Sequence, residues 1–430
     1  MSDMKRRVVI TGMGTINPLG DSLEKYYNNL LAGKSGVTRW TSIDLSRVEC
    51  KIGGDLGNYD CLSGLEQFRD DLTPETYKGT RKLFRTATFS AKLGALGAMA
   101  AWKNAGLFGQ EVDPHRISVM VAGHNLNSNY IFENMKTFLE EPEYLDPLSG
   151  IEAIDPNVPA VITEILGIQG PSFTIGGACA SGNLALREGF RDIITGECDK
   201  SLIVGAPFDV SPPDIQASVI INSVVVKPEY QNAPEKASRP FDTKRCGFVY
   251  SHGAGTLVIE ELSSALARGA YIWGEVVGVK ASANANHLPV PGAEKQVLVM
   301  LDLLNSTGVK PEEIDYVNCH ATGTPVGDIQ EIRALQEVFG SHARKLKLNA
   351  PKSMLGHTCW ASPIVESIGG LLQMRYGKLH PTINIDELDP EIHMDVCANK
   401  TQDHRINMML KNSFGFGGVN CCSLIKRFEA

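Results

Sequence analysis

Short apolar runs rich in β-branched residues alternate along this chain with longer helical patterns. The runs that predict strands are "RRVVITG", "RISVMVAG", "KSLIVGAP" and "AGTLVIEEL", followed later by "YIWGEVVGVKA", "IDYVNCHATGT" and "LKLNAPKSMLGH". Helices are predicted in "SLEKYYNNLLAGKSG", which ends in glycine, and in "ATFSAKLGALGAMAAWKNAGL", which is apolar on most sides and therefore expected to be buried. This order predicts a mixed α/β fold with buried sheets between helices.

The length of the chain bears on its domain organisation. At 430 residues it is too long for one ordinary core, which indicates two domains or one large duplicated fold. A split near Leu262 leaves several α/β units on each side, so we place the two halves at 1–262 and 263–430. No internal repeat is strong enough to establish a duplication from the sequence alone.

Composition and charge exclude several classes of protein. The chain is 43% hydrophobic and 21% charged, as in globular proteins. Its net charge of −8 argues against nucleic-acid binding, which needs a basic face. No run approaches the roughly 18 apolar residues that a membrane span needs. The ten cysteines, without a signal peptide or zinc-ligand spacing, predict reduced thiols, a cytoplasmic location and no metal site.

The stretch "TIGGACASGNLALREGF" places Cys179 between an extended run and a predicted helix. A sulfur at such a corner lies near a helix N-terminus, where free amides and the helix dipole favour the thiolate. The surrounding glycines and alanines leave space beside the sulfur, as a nucleophile requires. The alternative is a buried cysteine that acts only as a small apolar residue.

Two histidines and a lysine are also placed where predicted strands end, and an aspartate follows the first histidine after a run of small residues. "VNCHATGTPVGD" carries His320 and Asp328, and "NAPKSMLGH" carries Lys352 and His357. The glycine-rich segment "NSFGFGGVN", residues 412–420, could direct backbone amides at a reacting carbonyl. Structural histidines and a plain turn between two strands are the alternatives.

Taken together, these motifs resemble the elongating β-ketoacyl-acyl-carrier-protein synthases of type II fatty-acid and polyketide pathways. The resemblance runs from "VVITGMGTINPLG" through "ACASG", "SRPFDTKRCGFV", "HATGTPVGD" and "KSMLGH" to "NSFGFGGVNCCSLIKRF". It implies a thiolase-like fold of two similar α/β halves, with mixed sheets layered between helices. It also implies a homodimer, or a heterodimer with a related subunit.

The resemblance implies roles for four residues. Cys179, in the first half, matches the nucleophile that accepts an acyl chain from phosphopantetheine. His320 and His357, in the second half, match the pair that assists decarboxylation of the malonyl group and stabilises the enolate. Lys352 matches the lysine that orients the second histidine.

The resemblance also assigns a supporting network. Glu366 and Asp328 match its carboxylates, and Phe416 matches the aromatic gate of the glycine-rich loop. The amides of Phe416 and Cys179 would form the oxyanion hole. No metal or redox cofactor is implied, because both substrates arrive on the phosphopantetheine of an acyl carrier protein.

Several positions depart from the family pattern. Cys246 and His252 stand where the family usually has acidic residues, and Ala321 replaces the glycine after the first histidine. Trp360 and Pro363 stand where the family has small residues or glycine. These changes favour a specialised polyketide role over ordinary fatty-acid elongation.

The basic run "YKGTRKLFR" is the predicted contact for the carrier protein. Lys78, Arg81 and Lys82 resemble the family's docking residues, and acyl carrier proteins are acidic around their prosthetic group. Such charges steer the encounter of two proteins more than they set affinity. The alternative is a solvated helix face.

Three other functions remain as alternatives. The first is a stand-alone decarboxylase that produces acetyl-carrier protein for polyketide β-branching, although such enzymes usually lack the cysteine. The second is a non-catalytic chain-length partner subunit, which usually lacks it too. The third is a dinucleotide-binding oxidoreductase, suggested by Gly12 and Gly14, but Asn17 replaces the third glycine of that fingerprint.

Overall fold

The computed structural model describes residues 6–286 and 291–429. Its strands are β1 (Val8–Ile16), β2 (Thr38–Arg39), β3 (Ile52–Gly53), β4 (Ile117–Ala122), β5 (Ser172–Ile175), β6 (Lys200–Gly205), β7 (Ala254–Glu261), β8 (Gly274–Ala283), β9 (Tyr316–Asn318), β10 (Lys347–Asn349), β11 (Lys378–Leu379), β12 (Gln402–Asp403), β13 (Met408–Gly415) and β14 (Val419–Lys426). The seven predicted strand runs all contain strands of this set.

The α-helices are α1 (Leu23–Leu31), α2 (Cys61–Glu66), α3 (Pro74–Leu83), α4 (Phe89–Asn104), α5 (Ser128–Glu140), α6 (Ser149–Glu152), α7 (Asn157–Leu166), α8 (Ser181–Thr195), α9 (Pro212–Ile220), α10 (Pro228–Asn232), α11 (Leu262–Ala267), α12 (Ala293–Thr307), α13 (Gly327–Phe339), α14 (Lys352–Leu355) and α15 (Ser362–Tyr376). The helices predicted from the sequence are present as α1, α4 and, after Cys179, α8. No helix in the described ranges is long and apolar enough to cross a membrane.

The main sheet contains the same arrangement of five strands twice. Its order is β10-β9-β13-β14-β8-β1-β7-β6-β4-β5. In the first half β7 pairs antiparallel with β1 and β6, whereas β6–β4 and β4–β5 are parallel. In the second half β14 pairs antiparallel with β8 and β13, whereas β13–β9 and β9–β10 are parallel. The two halves join where β1 and β8 pair over three residues. The fold is therefore a duplicated α/β architecture of the thiolase-like type, and position 262 falls at the first residue of α11, between the two sets of strands.

Two buried helices lie between the halves. Helix α8 packs on β4 and β6 and also on β8 and β14, and α15 packs on β6, β7, β9 and β13. Each follows a 3₁₀ turn, Ala178–Ala180 before α8 and Cys359–Ala361 before α15. In both turns the first residue has a left-handed backbone, with φ of 46° at Ala178 and 49° at Cys359. The two turns pack against each other, so corresponding corners of the duplicated halves meet at the centre.

Helices α4 and α7 cover the outer face of the first half, and α12 and α13 cover that of the second. The glycines of β1 explain how closely α4 approaches. A Cβ on Gly12 would lie 2.3 Å from the Ala101 carbonyl oxygen, and one on Gly14 would lie 2.5 Å from the Gly97 carbonyl oxygen. These glycines serve the packing of helix on strand, which removes the basis of the dinucleotide-binding alternative.

Candidate active site

A cavity of about 410 Å³ opens at the carboxyl ends of strands from both halves. Cys179, His320 and His357 line it together with Phe248 and Phe416. The nucleophilic candidate comes from the first half and both histidines come from the second. The structure therefore brings together the three side chains that the sequence motifs single out.

Cys179 is the central residue of the 3₁₀ turn before α8 and is half-buried. The Ser181 hydroxyl accepts a hydrogen bond from the Gly177 amide at 2.9 Å and donates one to the Ala178 carbonyl at 2.7 Å. These bonds hold the left-handed Ala178. Gly415 lies against this turn, and a Cβ on it would be 2.6 Å from the Gly177 carbonyl oxygen. Residue 415 must therefore be glycine for the 412–420 loop to pack here.

The protonation state of Cys179 differs from the sequence-based expectation. Burial raises the pKa of its thiol to about 11, against the opposing effects of the Lys352 charge and of the amides of Phe416 and Cys179. The expected thiolate at a helix N-terminus is therefore wrong for the free protein, because desolvation outweighs the local dipole. At neutral pH the free protein therefore carries Cys179 as a thiol.

His357 is the nearest titratable group to the sulfur. Its Nε2 lies 3.1 Å from Cys179 Sγ, and its Nδ1 is 3.2 Å from the Cys359 amide and 2.9 Å from Ser362 Oγ. Because Nδ1 accepts the hydrogen bond from the Cys359 amide, a neutral ring carries its proton on Nε2, facing the cavity. Burial, followed by the Lys352 charge, holds the pKa of His357 well below its usual range, so the ring is neutral.

His320 stands at right angles to His357, with ring centroids 5.7 Å apart and planes at 80°. Burial and then the positive charge of Lys352 lower the pKa of His320 well below its usual range, so this ring is also neutral. The His320 amide donates to Glu331 Oε1 at 2.9 Å, and its carbonyl accepts from Lys352 Nζ at 2.7 Å. Two uncharged imidazoles therefore face one point beside the sulfur.

The contact of Lys352 corrects one predicted role. Lys352 was expected to orient the second histidine, but its ammonium group bonds to the main chain of the first, His320. It is the first residue of the short helix α14, directly after β10. The orientation of His357 comes instead from the Cys359 amide and from Ser362, the first residue of α15.

Glu366 joins two buried lysines. Its Oε1 lies 2.6 Å from Lys352 Nζ and its Oε2 lies 2.5 Å from Lys411 Nζ, and all three side chains are at most 1% exposed. Glu366 was among the predicted residues, but Lys411 was not. The signal for Lys411 was available, since it lies on strand β13 after three apolar residues and directly before the glycine-rich loop.

Glu331 is a second residue that sequence reasoning missed. Its two carboxylate oxygens accept hydrogen bonds from the amides of His320 and Ala321, at 2.9 and 2.8 Å. Asn412 also donates to Glu331, at 3.0 Å. Glu331 therefore holds the main chain at the first histidine, and its position on α13, three residues after Asp328, was the available signal.

Asp328 supports the active site indirectly, through the main chain of neighbouring loops. It accepts hydrogen bonds from the Phe241 and Gly323 amides, each at 3.0 Å, and so anchors two loops beside the cavity. Burial raises the pKa of Asp328 to about 6. Its contact with the active site runs through the main chain, and no hydrogen bond between Asp328 and either histidine occurs among the described residues.

The glycine-rich loop places Phe416 at the cavity wall. The ring is 43% exposed and lies 6.5 Å from the Phe248 ring in an edge-on arrangement. The amides of Phe416 and Cys179 both bond towards the Cys179 sulfur. The roles of gate and oxyanion hole stay predictions.

The predicted docking residues lie on α3 and are exposed. Lys78, Arg81 and Lys82 are spaced at i, i+3 and i+4, so these three share one helix face, and Arg85 lies in the turn that follows the helix. Within the part of the chain described, none of them is paired with a carboxylate. This face is available to an acidic partner.

Four of the departures from the family pattern are placed as follows. His252 is buried between the rings of Trp40 and Phe89, and its Nδ1 accepts from the Leu56 amide at 3.1 Å. Burial lowers the pKa of His252 to about 4, so it is neutral. Cys246 is half-buried, Ala321 is buried beside Glu331, and Pro363 occupies the first turn of α15, where a missing amide proton costs nothing.

The donor atoms of Cys179, His320 and His357 lie within 4.8 Å of one another. Sulfur and imidazole donors suit zinc, so these residues could hold a metal ion. The reaction inferred from the family needs none. That this protein works without a metal or redox cofactor therefore stays a prediction.

The fold and the site together define a thiol-dependent acyl-transferring enzyme. The sequence pattern described as "Beta-ketoacyl synthase, N-terminal domain" matches residues 5–265, and that described as "Beta-ketoacyl synthase, C-terminal domain" matches residues 273–386. The chain belongs to the β-ketoacyl synthase family. It is accordingly an acyltransferase of the condensing type, and the family predicted from its motifs is confirmed.

Relatives along the whole chain agree with this assignment. The 3-oxoacyl-acyl-carrier-protein synthase 2 of Synechocystis sp. is 31% identical over 430 residues, 99% of each chain. The enzyme of the same name from Coxiella burnetii is 32% identical and covers 98% of this chain and 99% of its own.

Solved structures give the same picture. "The ishigamide ketosynthase/chain length factor" superimposes with a TM-score of 0.88 at 28% identity, over 99% of this chain and 100% of its own. A β-ketoacyl synthase from Burkholderia phymatum gives a TM-score of 0.87 at 25% identity, with the same coverage.

Proposed function

We propose that this enzyme joins an acyl group to a malonyl-derived unit by decarboxylative Claisen condensation. In the first step the Cys179 sulfur bonds to the carbonyl carbon of an acyl thioester. The bond to the carrier's sulfur breaks, and the thiol proton passes to that sulfur. The observation that carries the proposal is the convergence of Cys179, His320 and His357 on one cavity.

In the second step a malonyl thioester loses CO2, and the electrons of the broken bond form an enolate. Neutral imidazoles suit this step, because each can donate an N–H hydrogen bond to the enolate oxygen and so stabilise its negative charge. The enolate carbon attacks the acyl carbonyl on Cys179, a carbon–carbon bond forms, and the carbon–sulfur bond breaks. The sulfur then regains a proton. Removing one such donor typically costs about 10²–10³ in rate.

The substrates arrive on an acyl carrier protein, and the basic face of α3 is the proposed docking site. Lys78, Arg81 and Lys82 are exposed, unpaired within the described residues and aligned on one side of the helix. An acidic carrier would be steered by these charges, and salt would weaken that steering.

A specialised polyketide pathway is the proposed setting. The altered residues around the site, Trp360 above all, support it, as does the likeness to the solved ishigamide ketosynthase/chain length factor. The relatives named 3-oxoacyl-acyl-carrier-protein synthase 2 support elongation in general. Fatty-acid elongation is the competing setting.

The protein is proposed to act as a dimer, either with itself or with a related subunit. Strand β5 is the edge of the sheet, and its Phe173 is 44% exposed. Helix α5 and the turn after it present further exposed apolar side chains, at Met135, Phe138, Leu139 and Tyr144. An open edge strand and exposed apolar side chains are suited to pairing with a second chain.

A decarboxylase is the second candidate, because loss of CO2 needs only the two histidines. Cys179 argues against it, and against a non-catalytic partner subunit, since neither role uses a nucleophile. The deciding experiment supplies acyl-carrier and malonyl-carrier proteins together and measures the intact masses of enzyme and carriers. A β-ketoacyl-carrier product supports condensation, whereas acetyl-carrier protein accumulating with every acyl donor would establish the decarboxylase.

A further inference from the structure

Three aromatic side chains form a stacked cluster close to Cys179. The indole of Trp360 lies over the ring of His124, with centroids 4.5 Å apart and planes at 29°. It also contacts the Phe208 ring, at 5.2 Å and 45°. We refer to Trp360, His124 and Phe208 as the aromatic wall.

The topology of the sheet places this wall beside the nucleophile. Strands β6, β4 and β5 are parallel neighbours, and their carboxyl ends lead to Phe208, His124 and Cys179 respectively. His124 lies close to the nucleophile loop, because a Cβ on Gly176 would be 3.3 Å from His124 Cβ. Trp360 reaches the same edge from the second half, since its 3₁₀ turn packs on the turn of Cys179.

The position of Trp360 follows from the duplication. Cys179 and Trp360 each follow the left-handed residue of the turn that precedes a central helix. The tryptophan therefore occupies the place in the second half that the nucleophile occupies in the first. Its packing is tight, since a Cβ on Gly123 would lie 2.7 Å from the indole.

The indole N–H of Trp360 does not explain why a tryptophan stands at this position. Its N–H is buried and has no hydrogen-bond partner among the described residues. Buried tryptophans usually satisfy this group, so Trp360 contributes volume and ring surface rather than a polar contact.

The order of the two substrates makes the wall important. After the first step the acyl chain is held on Cys179, and the arm of the second carrier must reach the same sulfur. That arm enters through the cavity of about 410 Å³, whose lining includes none of the three wall residues within the described chain. The acyl chain must therefore extend to the other side of Cys179, where the wall lies.

We propose that the aromatic wall restricts the acyl group on Cys179 to a short linear chain, and that Trp360 sets this limit. The inference rests on the proposed condensation. Its physical basis is steric, because a long chain could be held only by displacing a stacked indole from a closely packed site.

The test begins with the unaltered enzyme and uses acetyl-, butyryl-, octanoyl- and dodecanoyl-carrier proteins as donors. Acylation of Cys179 is followed by intact-mass analysis over time. Acetyl and butyryl donors should acylate the enzyme, and the two longer donors should do so at least about tenfold more slowly.

Two variants then test the residue. Trp360→Ala should bring dodecanoyl transfer to within about threefold of acetyl transfer, and Trp360→Phe, which keeps a smaller ring, should fall between. Trp273→Ala is the matched control, since this indole donates to Asn104 at 3.0 Å on another part of the molecule. It should keep the chain-length preference of the unaltered enzyme.

The outcomes separate the inference from the proposed function. Dodecanoyl transfer as fast as acetyl transfer in the unaltered enzyme overturns the inference and leaves condensation intact. Unchanged preference in a folded Trp360→Ala protein also overturns it. If that variant does not fold, Trp360→Phe decides in the same way. Failure of every donor to acylate Cys179 overturns both proposals.

Discussion

The buried carboxylate that joins two lysines allows a quantitative prediction. Glu366 contacts Lys352 and Lys411 through opposite oxygens, and the three side chains are at most 1% exposed. The change Glu366→Gln preserves shape but removes the only charge that balances both ammonium groups within this triad. Lys352 and Lys411 are then left buried without their counter-charge.

The expected size of the effect follows from the burial. Removing one partner of a buried ion pair costs about 3–5 kcal/mol, since the remaining charge keeps its desolvation penalty without its attraction. Burial already lowers the pKa of Lys411, so part of this cost is relieved when that ammonium group loses its proton. We therefore expect the free energy of unfolding of Glu366→Gln to fall by about 3 kcal/mol.

The assay is chemical unfolding followed by both tryptophan fluorescence and circular dichroism, whose coincidence checks two-state behaviour. The matched control is Glu275→Gln, which breaks a surface pair with Arg7 whose guanidinium side is 52% exposed. Exposed pairs contribute about 0–1 kcal/mol, so the control should change little. Equal losses of stability in the two variants would refute the reasoning.

Three further predictions concern the chemistry and the docking. Cys179→Gln should abolish carbon–carbon bond formation but leave or raise release of CO2 from malonyl-carrier protein, because decarboxylation depends on the histidines. Reversing the charges of Arg81 and Lys82 should raise the KM for carrier-bound substrates, and added salt should shrink the effect, since exposed charges are screened beyond roughly 8–10 Å. Alkylation of Cys179 by iodoacetamide should accelerate about tenfold per pH unit towards its pKa of about 11, since only the thiolate reacts.

Each of these has an outcome that contradicts it. Loss of CO2 release in Cys179→Gln would show that decarboxylation requires the sulfur. An unchanged KM at low salt would remove α3 as the docking site. The control is charge reversal at Lys310, which is exposed on another part of the molecule and should leave the KM unchanged. An alkylation rate that levels off below about pH 8 would show that the thiol is not desolvated as described.

Local sequence patterns predicted much of this molecule. The strands were identifiable because buried parallel strands are continuous apolar runs, and α4 because it is apolar nearly all round. Cys179, His320 and His357 were identifiable because each follows a strand and is flanked by small residues. These signals lie within a few residues of the side chain concerned.

What the sequence did not predict depends on distant partners. Lys411 and Glu331 gained their roles from residues far along the chain, so the local signals beside them mark their nearness to the site but not the partners that they bind. The segment 227–245 is polar and contains prolines, as surface loops do, yet Arg239 and Asp242 are buried and paired at 3.0 Å. The thiolate expectation for Cys179 failed for the same reason, since burial is set by tertiary packing.

The division of the site between the duplicated halves has a consequence for biosynthesis. During translation Cys179 emerges well before His320, Lys352 and His357, and α8 has no second-half strands to pack against at that stage. The growing chain thus contains a cysteine without its hydrogen-bonding partner or the charge that favours its thiolate. The complete site therefore forms only when the second half packs on α8, and an unfinished or truncated chain contains the nucleophile without the two histidines that the proposed condensation needs.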